Sequence, residues 1–327
     1  MRKSFLGRSG LEISEIAFGG GDTGGLLIRG DETACVTTLT RAVKAGINWI
    51  DTAALYGNGA SEEAIGRYVG ALSPRPQIST KVRIEYGDLP DLRGAIERSL
   101  TESLERLRTD RVALFQLHNQ LGEAVGGRLG LPVEDVLGRG GVADIFSRLK
   151  EQGLFQASGV TAAGETKACL DVINSGRFDC AQVYYNALNP SAAWKRAPQS
   201  WSAQDFSGIM AACWNQNMGV LAIRVLAGGP LASAKRPEKL AVLTSGTNVD
   251  NEMRCAAAVH RVLGLNYGTP AQAALRFVLG NRDLATRVIG ISSFLDLNEA
   301  LIAVEQGPLP AAAITALKEL WATDFRG

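Results

Sequence analysis

The feature that most constrains the fold is a regular alternation of short β-branched runs and longer amphipathic stretches along most of the 327 residues. Eight runs have the length and composition of strands: residues 16–19, 48–51, 77–81, 112–118, 155–161, 180–184, 220–223 and 286–290. Parallel strands need a crossover between them, so this alternation predicts a parallel sheet. No linker-like shift in composition divides the eight units. We therefore expect residues 1–327 to form one domain, a closed (β/α)8 TIM barrel with a short N-terminal β-hairpin before it, rather than a two-domain doubly wound fold.

The helical periodicity is clear between these runs. It predicts helices over residues 31–45, with Asp31 as N-cap, and over 61–69, 89–107, 142–152, 166–175, 206–217, 251–263, 269–279, 294–304 and 310–320.

Composition excludes several classes of protein. A net charge of +1 gives no long-range field for nucleic acid or an anionic membrane, and no run reaches the roughly 18 apolar residues of a membrane helix. The basic N-terminus lacks a following apolar region, so no signal peptide is expected. The five cysteines show no C-x-x-C spacing, and there are only two histidines, which indicates a reducing compartment and no metal site. We expect a cytoplasmic protein without a nucleic-acid, membrane or metal partner; a homo-oligomer stays open.

Polar side chains stand where a barrel carries out its chemistry, at the C-terminal ends of strands. Asp51, Lys81 and His118 end the second, third and fourth predicted strands, and Tyr56 follows five residues after Asp51. One such residue alone is most often a solvated polar group. Four titratable groups on three successive strand ends predict a catalytic site.

Two long connections also follow strand ends. Residues 120–141 follow the fourth strand, and residues 188–205, with Trp194 and Trp201, follow the sixth. Each is as consistent with a tolerated surface insertion as with a substrate loop. Their common face and the two tryptophans favour enclosure of a substrate.

Several short motifs, weak singly, occur in an order and spacing that together resemble the aldo-keto reductase superfamily. They run over most of the chain: Leu6 to Leu11, Asp51-Thr52-Ala53, Tyr56-Gly57, Ser61-Glu62, Ser79-Thr80-Lys81, Gln116 to Asn119, Gln182 to Asn186, Leu226 to Gly229 and Val288-Ile289-Gly290. The resemblance implies a carbonyl reductase or alcohol dehydrogenase with Asp51, Tyr56, Lys81 and His118 as catalytic groups.

Elementary chemistry agrees with that implication. A tyrosine acts as an acid only if its high pKa is brought nearer neutrality, and an ammonium beside the phenol favours the phenolate. We therefore expect Lys81 to lower the pKa of Tyr56, Asp51 to hold Lys81 charged, and His118 to donate to the substrate oxygen. The hydride must come from NAD(H) or NADP(H), because no side chain can carry one.

The resemblance also implies where the cofactor binds. The loop with Gly20 and Gly21 borders the nicotinamide and substrate, although it is not a G-x-G-x-x-G phosphate turn. Gln182 and Thr161 match positions that bind the nicotinamide amide; the asparagine usual beside Thr161 is Ala162 here.

After the seventh strand the pattern departs from the family. Ile223 and Arg224 replace the aromatic that often stacks on the nicotinamide. Arg224 can contact the pyrophosphate, bind an anionic substrate or pair with a carboxylate. Leu226 and Gly228 follow in the same motif.

The segment from Gly290 to Glu299 resembles the family's adenosine-phosphate clamp, including Ser292 and Asp296. Asp296 stands where NADP(H)-preferring members carry a basic or amide group, and a carboxylate suits a free ribose hydroxyl. Against this, the basic residues within 235–239 can serve a 2′-phosphate. The choice between NAD(H) and NADP(H) stays open.

Three functions remain in view. The first is an oxidoreductase. It interconverts either a small carbonyl or sugar and the corresponding alcohol, or an aldose hemiacetal and the corresponding lactone. The second is a cofactor-binding regulatory subunit with little turnover, since fold alone never fixes function. The third, a lyase with Lys81 as Schiff-base nucleophile, requires a depressed lysine pKa. The chain stops soon after its last helix, and within the resemblance this places it nearer the bacterial members that act on sugars and small carbonyls, and nearer the potassium-channel β subunits.

Overall fold

The computed structural model describes residues 1–123, 129–235, 242 and 244–326. Its strands are Lys3–Phe5 (β1), Glu12–Ser14 (β2), Ile16–Gly19 (β3), Trp49–Asp51 (β4), Gln77–Val82 (β5), Val112–Leu117 (β6), Gln120–Leu121 (β7), Gly130–Leu131 (β8), Phe155–Ala162 (β9), Cys180–Tyr184 (β10), Gly219–Ile223 (β11) and Thr286–Gly290 (β12). Eight of them pair in parallel and close into a barrel in the order β10-β11-β12-β3-β4-β5-β6-β9. The predicted (β/α)8 architecture is confirmed, and so is the N-terminal antiparallel hairpin of β1 and β2.

The helices lie outside the barrel. They are Leu26–Arg29 (α1), Glu32–Lys44 (α2), Ala60–Tyr68 (α3), Leu92–Leu107 (α4), Val133–Leu137 (α5), Val142–Glu151 (α6), Thr166–Asn174 (α7), Ile209–Asn215 (α8), Val249–Leu263 (α9), Pro270–Leu279 (α10), Phe294–Gln306 (α11) and Ala311–Ala322 (α12). The predicted N-cap is present, since the Asp31 carboxylate accepts a hydrogen bond of 2.8 Å from the backbone N–H of Ala34.

Two helices begin three residues later than predicted, and the other helix ends shift by one or two residues at most. The helix expected from residue 89 begins at Leu92, because a short 3-10 helix with Pro90 inside it precedes it. The helix expected over residues 206–217 is shorter, and Gly208, with φ of 87°, turns the chain into its first residue, Ile209.

The hairpin covers the N-terminal end of the barrel. Its residues bond to positions just before the barrel strands: the backbone N–H of Ser14 donates to Asn48 Oδ1 over 2.7 Å, and Gly7 pairs with Met218. Leu6 and Ile13 are fully buried in one cluster with inward-facing apolar side chains of the barrel, Trp49, Leu114, Ala157 and Leu221 among them. The lower interior is therefore a packed apolar plug.

The two long connections lie at the opposite end, as predicted. The first contains the β7–β8 pair and α5, and its residues 124–128 lie outside the described part. The second contains a short 3-10 helix, Ser191–Ala193. Among the described residues no single helix is long and apolar enough to cross a membrane; α11 and α12, bent by 111°, pass that test only as a pair.

Candidate active site

Strand register brings the four predicted catalytic residues to one end of the barrel. Asp51 ends β4 and pairs with Ser79 of β5, whereas Lys81, two residues further along, pairs with Gln116 of β6. Residues two apart on a strand share a face, so Asp51, Ser79, Lys81 and Gln116 all point into the barrel. His118 comes directly after β6.

Lys81 lies at the centre of the constellation. Its ammonium donates to Asp51 Oδ2 over 2.7 Å, to the carbonyl oxygen of Thr52 over 2.7 Å and to the Tyr56 hydroxyl over 3.4 Å. Nζ also lies 4.8 Å from the centroid of the Tyr56 ring. Lys81 and Asp51 are 1 % and 2 % exposed, so this is a fully desolvated ion pair that depends on its hydrogen bonds.

Asp51 is held from several sides. Its Oδ1 accepts from Ser79 Oγ at 2.8 Å, from Gln182 Nε2 at 2.9 Å and from Gln116 Nε2 at 3.4 Å. A buried carboxylate needs such donors to remain ionised. The roles of Ser79 and Gln116 were not predicted from the sequence; the available signal was the period of two, since they precede Lys81 and His118 by two residues.

The pKa shifts correct one expectation. Burial raises the pKa of the Tyr56 phenol above its usual value; the Lys81 ammonium lowers it, as predicted, but does not overcome burial and the added effect of Asp51. Burial by itself lowers the pKa of Lys81, yet Asp51 and Tyr56 reverse this, and the net pKa is raised. The prediction of a Tyr56 pKa nearer neutrality is therefore wrong for this structure: Tyr56 is a protonated phenol at neutral pH.

The His118 ring stands edge-on to Tyr56, with the centroids 5.7 Å apart and the planes at 87°. The backbone N–H of His118 donates to the carbonyl oxygen of Val82 over 2.8 Å, which fixes the strand end that carries the ring. The four predicted side chains thus lie together at the rim.

Gly20 and Gly21 border this cluster for steric reasons. A Cβ on Gly20 would lie 2.7 Å from Ser61 Oγ, and one on Gly21 would lie 3.2 Å from Cζ of Tyr56. The backbone N–H of Gly20 donates to the carbonyl oxygen of Asp51 over 2.9 Å. The loop is therefore packed directly against the Tyr56 ring.

Thr161 and Gln182, predicted to bind the nicotinamide amide, are register partners on β9 and β10 and face the same interior. The Gln182 amide nitrogen is engaged by Asp51. The Thr161 hydroxyl is buried and has no hydrogen-bond partner among the described residues. Such a hydroxyl fits a polar group supplied by a ligand, so these residues are compatible with the carboxamide of a nicotinamide.

The turn after β11 carries Arg224, Leu226 and Gly228. Arg224 adopts a left-handed backbone with φ of 58°, and its carbonyl oxygen accepts 2.8 Å from Asn186 Nδ2. Burial raises the pKa of Glu252 in α9 to about 7, and the Arg224 charge opposes this shift as it opposes the shift of Tyr56. The positive charge of Arg224 therefore lowers the pKa of both Tyr56 and Glu252. Contact with the pyrophosphate, binding of an anionic substrate and pairing with a carboxylate stay predictions.

The predicted adenosine clamp forms the start of α11. The Asp296 carboxylate accepts 3.0 Å from the Ser292 backbone N–H and also bonds to the Ser292 hydroxyl, while Glu299 accepts 3.1 Å from Thr269 Oγ1. Gly290 ends β12 beside them. The competing basic loop lies outside the described residues except for Lys235.

Trp194 and Trp201 pack against each other and the C-terminal segment. Their centroids are 4.9 Å apart, Trp194 lies 6.0 Å from Trp321, and Trp201 lies 6.1 Å from Phe325. This aromatic packing accounts for both rings as the structure stands. Their contact with a substrate stays a prediction.

Comparison with known proteins agrees with this geometry. The model of the Aldo/keto reductase family matches residues 15–322. The chain is 28% identical to an oxidoreductase of Bacillus subtilis over 168 residues, about half of each chain (50% and 49%). It is 25% identical to L-galactose dehydrogenase of Arabidopsis thaliana over 307 residues, 92% of this chain and 87% of the relative.

Among solved structures, the holo form of an aldo-keto reductase from Bacillus halodurans superposes with a TM-score of 0.73 at 23% identity, covering 98% of this chain and 96% of the other. That likeness concerns the fold. The closed barrel and the family match together place the chain in a class of oxidoreductases built on a (β/α)8 barrel. The chain belongs to the aldo/keto reductase family.

Proposed function

We propose that the chain is a nicotinamide-dependent oxidoreductase that interconverts a small carbonyl or sugar and its alcohol, or an aldose hemiacetal and its lactone. The observation that carries the proposal is the desolvated Asp51–Lys81 pair, with Lys81 in contact with the Tyr56 hydroxyl. A cation next to a protonated phenol at a strand-end rim is suited to moving a proton at a substrate oxygen.

In this mechanism Tyr56 donates its proton to the carbonyl oxygen during reduction. The neighbouring ammonium stabilises the phenolate that remains, and Asp51 keeps that ammonium charged and oriented. His118, edge-on to Tyr56, donates to the same oxygen and fixes its position. Because burial raises the pKa of Tyr56, the phenol is protonated at neutral pH and can serve as the acid in reduction, and the Lys81 ammonium offsets part of the shift that weakens it as an acid.

NAD(H) or NADP(H) supplies the hydride when bound. Thr161 and Gln182 would hold its carboxamide, the Gly20–Gly21 loop would border the nicotinamide, and Arg224, Leu226, Gly228, Gly290, Ser292, Asp296 and Glu299 are the proposed contacts to its remainder. The buried Thr161 hydroxyl and the glycines packed on Tyr56 support this placement.

The substrate class is proposed from the site and one relative. The described rim has half-buried aromatic side chains beside the polar donors Tyr56 and His118, which suits a small carbonyl or an aldose. The name of the plant relative, L-galactose dehydrogenase, makes aldoses the first oxidation substrates to screen.

The test follows absorbance of the reduced nicotinamide with both cofactors, an aldehyde panel in one direction and an aldose panel in the other. We expect turnover in at least one pair and its loss in Tyr56→Phe. Tight cofactor binding without turnover on either panel would instead support a regulatory subunit. Trapping of a keto substrate by borohydride would support a lyase, but the raised pKa of Lys81 leads us to expect no adduct.

A further inference from the structure

A second line of hydrogen bonds enters the site from the apolar plug below it. The Trp49 indole donates to Ser79 Oγ over 2.9 Å, and Ser79 Oγ donates to Asp51 Oδ1 over 2.8 Å. Trp49 and Ser79 are both 0% exposed. The line continues through Asp51 to Lys81 and Tyr56 and so connects the packed interior with the reacting group.

The direction of this line is fixed by the chemistry of its members. An indole nitrogen can only donate, and an ionised carboxylate can only accept. The Ser79 oxygen must therefore accept from Trp49, and its single hydrogen is left for Asp51. Hydrogen bonds arranged head to tail polarise one another, which strengthens the contact to the carboxylate.

Ser79 differs from the other donors to Asp51. It is the register partner of Asp51 on the adjacent strand, and its side chain has a single rotatable link, whereas Gln182 and Gln116 reach the same oxygen through longer side chains at 2.9 Å and 3.4 Å. With Oδ1 held at the strand, Oδ2 is directed to Lys81, and the remaining ammonium hydrogens face Thr52 and Tyr56.

We propose that Ser79, held by Trp49, is a positioning residue that fixes the Asp51 carboxylate so that Lys81 stays in contact with Tyr56. This inference rests on the proposed function for its effect on turnover, but not for its effect on the ionisation of Tyr56. Packing alone does not explain the contact, because a buried indole N–H needs an acceptor and Ser79 Oγ is the acceptor that Trp49 has.

The experiment compares Ser79→Ala with Thr286→Val. Both remove a buried hydroxyl inside the barrel, but Thr286 Oγ1 has no hydrogen-bond partner among the described residues. We expect kcat of Ser79→Ala to fall about tenfold with KM nearly unchanged, and kcat of Thr286→Val to stay at the wild-type level.

The second readout is the ionisation of Tyr56, obtained from ultraviolet difference titration against Tyr56→Phe. Without Ser79 the Asp51 charge is less compensated, so the midpoint should move up by roughly half a pH unit or more. Ser79→Thr, which keeps the hydroxyl, should restore the midpoint if it folds. Trp49→Phe should lower kcat about twofold in the wild type and have no further effect in Ser79→Ala, the non-additivity expected of one network.

Wild-type turnover with an unchanged kcat and midpoint in Ser79→Ala would overturn the inference and leave the proposed function intact. Additive effects of Trp49→Phe and Ser79→Ala would mean that Trp49 acts only through packing, which overturns its part. A shifted midpoint in a protein that turns over no substrate would reject the proposed function and support the positioning role.

Discussion

The two ends of the barrel interior are built by the same strands and differ in almost every other respect. At the N-terminal end, Trp49 of β4 and Leu114 of β6 pack with the hairpin residues Leu6 and Ile13. Two residues further along the same strands stand Asp51 and Gln116, in a polar layer with Lys81. The pleat gives both layers the same inward direction, so a step of two residues separates a plug that stabilises the fold from a site that costs stability and provides chemistry.

This contrast explains why burial has opposite effects at the two ends. Removing an apolar side chain from water stabilises the plug. In the polar layer, burial penalises every charged form and is offset only by specific partners. Substitutions in the plug should therefore change stability according to the side-chain volume that they remove. Substitutions in the polar layer should change activity even when they remove a single atom.

The largest effect on kcat is expected from Tyr56, whose hydroxyl contacts Lys81 of the polar layer. Tyr56→Phe removes one oxygen and should reduce kcat by about 10²- to 10⁴-fold, because in the proposed mechanism that oxygen carries the transferred proton. Cofactor affinity, measured by fluorescence titration, and thermal stability should change little. A variant that keeps a tenth of the wild-type kcat would show that another group is the acid.

Lys81→Met should impair both catalysis and folding. Asp51 would be left buried without its cation, which costs about 3–5 kcal/mol in the free energy of unfolding, measured by denaturant titration. Because Lys81 lowers the pKa of Tyr56, its loss should move the Tyr56 limb of the pH–rate profile to higher pH. An active variant with an unchanged profile would contradict the coupling of these two residues.

Ile13→Ala tests the plug alone. Ile13 is 0% exposed and lies in the hairpin, so its truncation should cost about 2–5 kcal/mol of unfolding free energy. At a temperature where the variant is folded, kcat should equal that of the wild type. A loss of kcat without a loss of stability would break the division between the two layers.

Asp296→Arg tests the rim beyond the polar layer. The wild type should use NAD(H) at least competitively with NADP(H), because no basic residue lies between Gly290 and Glu299. The substitution removes one repulsion from a 2′-phosphate and adds a charge-assisted contact, so kcat/KM should move towards NADP(H) by about tenfold or more.

Both cofactors must be compared at one salt concentration on wild type and variant. A wild type strongly selective for NADP(H) would point to Lys235 or its neighbours as the phosphate contact. An unchanged preference in the variant would mean that Asp296, tied to Ser292, does not face the adenosine phosphate.

The smallest effect concerns Glu252. Its pKa is raised from an ordinary 4.5 to about 7, chiefly by burial, so the folded state binds this proton more tightly than the unfolded state does. The associated stability is present below pH 4.5 and is lost as the pH rises through about 7. Glu252→Gln should therefore melt a few degrees above the wild type at pH 8 and equal it at pH 4; equal melting at pH 8 would show that Glu252 is solvated.

The sequence by itself determined the barrel and the residues at its rim. Hydrophobic periodicity is a local property, and all eight strands occur where the pattern of short β-branched runs placed them, with ends shifted by at most one residue. The position of Asp51, Lys81 and His118 at strand ends follows from the same periodicity, because parallel strands present their C-terminal ends on one face.

Only the tertiary structure decided what these groups do to one another. Asp51 and Ser79 are 28 residues apart and become partners through the register of β4 and β5, which no local pattern encodes. The pKa of Tyr56 depends on how completely the fold removes water from it, and burial outweighs the nearby ammonium that the sequence made visible. Pairing register and desolvation are properties of the closed barrel, so the hydrogen-bond line from Trp49 to Tyr56 exists only once the barrel has closed.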